Sequence, residues 1–157
     1  MRRAICVFAF GLILLAGSTA ASAQSSNPVI QGGVQGKEVC PEFICGVALF
    51  IGGFEGRVGA NPAAVGIITA AMTHGELPTS IGASTPIFDG GWELRTLIRR
   101  ISGKVLGGSI TYAGGNLFEI RILLDLRSGG GGFVFFAGIL DHNTPIPGFR
   151  GNLLQLP

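Results

Sequence analysis

The sequence predicts an all-β protein, folded as a single antiparallel barrel or a strongly coiled sandwich of about seven or eight short strands. Apolar and polar residues alternate over several segments, which is the period of a half-buried strand. Glycine is frequent, at 27 of 157 residues, and is interleaved with Val, Ile, Leu and Phe without a fixed repeat. Turn-forming residues separate the alternating segments at short intervals. Together these patterns favour many short strands joined by tight turns.

The N-terminus has the three parts of a secretory signal peptide, predicted over residues 1–23. Arg2 and Arg3 form a basic start, an apolar run extends from Ala4 to Ala16, and Ala21-Ser22-Ala23 is a small-x-small cleavage site. A permanent membrane anchor is the alternative, but the run is shorter than the roughly 20 residues that span a bilayer. We therefore expect an exported protein, periplasmic or extracellular, without stable membrane insertion after cleavage.

The charge balance argues against nucleic-acid binding. Two of the 11 basic residues, Arg2 and Arg3, lie in the predicted signal, so the rest of the chain has nine basic and nine acidic residues. A nucleic-acid interface normally requires a net positive surface. No motif for a phosphate loop, a nucleophilic serine or a cofactor is present, so the sequence predicts no cofactor.

Residues 24–45 are expected to form a flexible leader that carries a small loop between Cys40 and Cys45. A disulfide between these two cysteines is the first prediction, because compartments outside the cytoplasm are oxidising. A pair of thiolate metal ligands is the alternative, but it requires further ligands elsewhere in the chain.

The predicted barrel domain covers residues 46–157 and begins with a strand from Val47 to Val58. The next segment, 63–74, is ambiguous. Asn61, Pro62 and Gly75 are typical helix punctuation, whereas the many β-branched residues between them favour a strand. We predict a strand.

The middle of the chain poses the same question. Residues 85–88 are predicted as a short edge strand, because Pro86 is tolerated at an edge. Residues 92–101 fit either a helix or a strand, and we predict a strand with a bulge near Arg99 and Arg100. Further strands are expected at 105–112 and 148–156.

The clearest element is a hairpin from Leu117 to His142. Every second residue from Phe118 to Leu126 is apolar, with charged residues between most of them. A glycine run, 129–132, breaks the pattern and supplies the backbone freedom that a reversal needs. An aromatic-rich strand follows, from Phe133 to Leu140.

An apolar-x-Gly-x-apolar pattern recurs at unequal spacing. In a strand, its three defined positions lie on one face, and an inward glycine allows a strand to bend or a neighbouring ring to cover the backbone. Chance in a glycine-rich chain is the alternative explanation. The four occurrences are centred on Gly56, Gly103, Gly138 and Gly151.

The candidate catalytic or metal-binding residues are His74, Glu76, Asp141 and His142. They fall at predicted strand ends, which gather at the rims of a barrel, so they could form an acid–base or metal cluster. Alternatively, each is a loop residue that satisfies local backbone groups. A separate basic cluster could meet an anionic partner or form a solvated outer face; it consists of Arg95, Arg99, Arg100 and Lys104.

The sequence thus predicts a non-enzymatic module that binds an apolar small molecule or a protein partner, with an enzyme or metal-binding protein using the rim cluster as the alternative. A closed barrel would enclose an inner face that is either a packed core or a small apolar pocket. The residues expected to line it are Phe54, Trp92, Phe118, Ile120, Ile122 and Phe136.

Overall fold

A computed structural model describes residues 30–39, 46–127 and 131–156. These residues form eight antiparallel strands that close into one barrel, as the sequence predicts. The strands are β1 (Ile30–Val39), β2 (Val47–Val58), β3 (Asn61–His74), β4 (Ser84–Thr96), β5 (Arg100–Gly114), β6 (Leu117–Asp125), β7 (Phe133–Asp141) and β8 (Gly148–Gln155).

Each strand pairs with its neighbours in the sequence, and β1 pairs with β8 to close the barrel. The upper rim is the end at which β1, β3, β5 and β7 finish, and the lower rim is the opposite end. His74 and His142 both lie at the upper rim, whereas the turn from Leu97 to Arg99 lies at the lower rim.

The alternating pattern of the sequence produces this fold directly. In β6, Phe118, Ile120, Ile122 and Leu124 are buried, and Glu119 and Arg121 between them are exposed. The predicted hairpin is therefore confirmed, because β6 pairs with β7 and the predicted residues form its inward face. All four predicted glycine patterns also place their flanking apolar residues in the core.

Inward glycines leave room for aromatic rings inside the barrel. A Cβ at Gly36 or Gly52 would collide with the Phe149 ring and the facing strand, and one at Gly138 would collide with the Phe136 ring. Phe149 also meets Phe50 edge to face, with ring centroids 5.3 Å apart. Large rings therefore fit into a narrow barrel because glycines line the wall beside them.

The segment 30–39 is not a flexible leader but the first strand of the barrel. The ladder from Ile30 to Val39 pairs with β2, and β8 pairs along its other edge. The described part of the barrel therefore includes residues 30–39 and does not begin at residue 46. The leader interpretation was wrong here because Gln and Lys residues occupy solvent-facing positions of a strand whose inner positions include two glycines and Glu38.

The two ambiguous segments are strands, but the second is divided differently from the prediction. Residues 97–99 turn the chain, so no bulged strand runs through Arg99 and Arg100, and Ile101 belongs to β5, where it pairs with Leu94. The predicted short edge strand 85–88 is the first part of β4. Alternating apolar residues on both sides of a tight turn mimic one continuous strand.

Two predictions fall on residues outside the described ranges: the signal peptide 1–23 and the disulfide between Cys40 and Cys45. Among the residues that the structure does describe, no helix is long and apolar enough to cross a membrane.

Candidate functional site

The barrel interior is a packed core that contains a small cavity. The cavity has a volume of about 40 Å³ and is lined by apolar side chains, including Trp92, Ile120, Ile122 and Phe136. Phe54 and Phe118 are also buried, but they are not part of its lining. Since pockets for drug-sized ligands measure about 300–1,000 Å³, the cavity has the size of a water molecule or two.

The upper rim carries a buried acid–base pair. The side chain of Glu38 points inward from the end of β1 and is only 3% exposed. Its Oε2 atom lies 2.9 Å from Nε2 of His142, which follows β7. The His142 ring also packs against Phe118, with ring centroids 5.1 Å apart. A buried carboxyl group and a partly exposed imidazole therefore meet at the mouth of an apolar barrel.

His74 is a buried imidazole of the upper rim. Its Nδ1 atom lies 2.6 Å from the carbonyl oxygen of Gly75, so Nδ1 carries the proton and donates this hydrogen bond. Its Nε2 atom is buried and has no hydrogen-bond partner among the described residues. In this tautomer Nε2 is a free acceptor inside the protein, where an unsatisfied polar atom is costly.

The other two predicted rim residues have local roles or no described contact. Asp141 accepts hydrogen bonds from the backbone and side-chain nitrogens of Asn143. These bonds hold the pKa of the Asp141 carboxyl below its ordinary value of 3.8. Glu76 is exposed in the loop after β3. No hydrogen bond or ion pair between described residues joins two of the four predicted residues.

Within the described ranges, no group of three or more His, Cys, Asp and Glu side chains is arranged to hold a metal ion. The pair that the fold does bring together, His142 with Glu38, includes a residue that the sequence analysis placed in the leader. The signal that could have found Glu38 is Ile30-x-Gly32-x-Val34, the same pattern that marks inward faces elsewhere. Continued with period two, it places Glu38 on the inner face.

The outer face of the barrel has an apolar ridge on β2 and β3. Ile51 is 52% exposed, Val65 63% and Ile67 58%, and all three lie on the solvent side of their strands. Val39, Val47 and Leu49 extend this exposed apolar area towards the upper rim. Solvent-facing strand positions are normally polar, so this outer face departs from the usual pattern.

Two grooves border this ridge. The first has a volume of about 570 Å³ and a floor formed by Gly33 and Gly53, where an added Cβ would meet open space. Glu55 and Arg150 line it, so both signs of charge are present. The second groove has a volume of about 470 Å³ and lies on the other side of the ridge. Small residues such as Ala71 and Gly91 line it.

Comparison of the chain with protein-family models, with curated proteins and with solved structures finds no match.

Proposed function

We propose that this protein is an exported, non-enzymatic β-barrel module that binds a protein partner through the ridge on β2 and β3 and the two adjacent grooves. The observation that carries the proposal is the exposure of Ile51, Val65 and Ile67 on adjacent strands of one outer face. The small interior cavity favours this outer surface over a ligand held inside the barrel.

The shape and charge of the surface indicate the chemistry of the partner. The ridge presents branched aliphatic side chains, and the grooves beside it can accept side chains of similar size. Glu55 and Arg150 place an acid and a base along one groove. The partner is therefore expected to be a protein whose contact surface is apolar at its centre and carries both signs of charge at its edge.

Site-specific photocrosslinking in the exporting cell tests this proposal. A benzophenone side chain at position 67 should form a discrete crosslinked product, whereas the same group at position 119, on the outer face of β6, should not. A product containing a second copy of the chain would identify self-association, and one containing another protein would identify that partner. Equal crosslinking at positions 67 and 119 would contradict the proposal.

Acid–base chemistry at the upper rim is the second candidate function, and the buried contact between Glu38 and His142 favours it. A nearby substrate would find an imidazole held by a carboxylate, which is a common arrangement for proton transfer. NMR of the imidazole groups during a screen of small organic fragments tests this candidate. Fragments that shift the signals of both His74 and His142 would support it, and a screen in which neither signal moves would oppose it.

A further inference from the structure

The turn between β4 and β5 presents two aliphatic side chains directly to solvent. Leu97 is 100% exposed and Ile98 75% exposed. The turn is closed by hydrogen bonds: Thr96 N–H donates to the carbonyl oxygen of Arg99 at 2.8 Å, and Arg99 N–H donates to Thr96 Oγ1 at 3.0 Å. The apolar pair therefore projects from an ordered turn at the lower rim.

Basic side chains surround this apolar tip. Arg95 and Arg100 flank it on β4 and β5, Arg99 lies in the turn itself, and Lys104 lies further along β5. Arg127 is adjacent, because its backbone N–H donates to the carbonyl oxygen of Ser102 at 3.1 Å. All five are exposed.

Two carboxylates only partly neutralise these five cations. Glu93 forms ion pairs with Arg95 at 2.9 Å and with Arg100 at 2.6 Å. Asp125 lies 3.4 Å from Arg127. The region keeps a net positive charge, whereas four other acidic residues, Glu38, Glu76, Glu119 and Asp141, lie towards the upper rim and Glu55 lies towards the lower end of β2.

We propose that the β4–β5 tip is a membrane-contact site, in which Leu97 and Ile98 insert among the headgroups of an anionic lipid surface and the surrounding arginines and lysine bind its phosphates. The transfer of aliphatic side chains from water to the acyl boundary lowers the free energy of the system. Nearby cations are attracted to anionic lipid. A bare polyanion would use the charges but not the aliphatic pair. The lipid surface uses both.

Co-sedimentation of the mature protein with two kinds of vesicle tests the site. Vesicles of equal parts phosphatidylcholine and phosphatidylglycerol should bind at least about tenfold more protein than vesicles of phosphatidylcholine alone, and added salt should weaken this binding. The double variant Leu97→Ser/Ile98→Ser should lower the partition coefficient about tenfold. Arg99→Ser should lower it about fivefold.

The matched control is Ile81→Ser, which removes an exposed aliphatic side chain from the loop after β3 at the other end of the barrel. It should leave vesicle binding unchanged. Equal binding to both kinds of vesicle, or an equal loss with Ile81→Ser, would overturn the proposal. The proposal would also fail if the double variant Leu97→Ser/Ile98→Ser kept full binding both to vesicles and to heparin. The basic residues alone would then explain the affinity.

Discussion

The contact between Glu38 and His142 is expected to affect stability because it involves a buried carboxyl group. Burial of a carboxylate is unfavourable unless a partner compensates for its lost hydration. Here the partner is the imidazole of His142, which lies 104 positions further along the chain. The pair therefore ties β1 to the end of β7 across the intervening β8.

Replacement of His142 by alanine should lower the free energy of unfolding by about 1–3 kcal/mol, because it leaves the Glu38 carboxylate buried without its partner. Urea unfolding followed by circular dichroism measures this change. The double variant Glu38→Met/His142→Leu is the control and should recover most of the loss, since it removes the uncompensated charge as well. A loss in the double variant equal to the sum of the losses in Glu38→Met and His142→Leu, each measured alone, would show that the pair is not coupled.

The packing of each strand depends on which face of the sheet its glycines occupy. Gly52 and Gly53 are adjacent in β2, but Gly52 faces the core and Gly53 faces solvent. A Cβ at Gly52 would lie 2.5 Å from the Gln35 carbonyl oxygen and 2.9 Å from the Phe149 ring. A Cβ at Gly53 would meet nothing within 4 Å.

The variant Gly52→Ala should therefore be destabilised by about 1–3 kcal/mol, because the extra methyl group overpacks the interior. The neighbouring variant Gly53→Ala should change the free energy of unfolding by less than about 0.5 kcal/mol. Chemical denaturation of the two proteins side by side provides the comparison. Similar losses in both would indicate that backbone freedom, and not the space beside Phe149, is the reason for these glycines.

The strands also show how much of the fold could be predicted from the sequence. The hairpin of β6 and β7 was predictable because its inner positions, apart from Gly138, are apolar side chains that alternate with outward positions. Strand β1 was not, since Gly32 and Gly36 occupy inner positions and Glu38 takes the last one. The contact of Glu38 with His142 joins residues 104 positions apart, and only closure of the barrel brings them together.

Among the eight described strands, closure between the first and the last is the one pairing that is not made by neighbours in the sequence. Gln31 pairs with Leu154 in the β1–β8 ladder, and the backbone N–H of Ile30 donates to Oε1 of Gln155 at 3.1 Å. The two ends of the described barrel therefore lie side by side at the lower rim. Every other strand pair is a hairpin that can form locally.

This geometry predicts that the barrel tolerates circular permutation. A short Gly/Ser linker from Leu156 to Ile30, with new termini between Leu97 and Ile98, should preserve the fold because both changes fall at the lower rim and leave every ladder intact. Cooperative unfolding followed by Trp92 fluorescence provides the measurement, since Trp92 is buried and its indole N–H donates to the Asp125 carbonyl oxygen at 2.9 Å.

The matched permutant has the same linker but opens the chain between Ile120 and Arg121, inside β6. It should lose cooperative unfolding, because the cut divides a strand whose inward residues contribute to the core on both sides of the break. If the first permutant also failed to unfold cooperatively, the covalent β4–β5 turn would be required for folding. Stability would then depend on the order in which the hairpins form and not on the closed set of ladders alone.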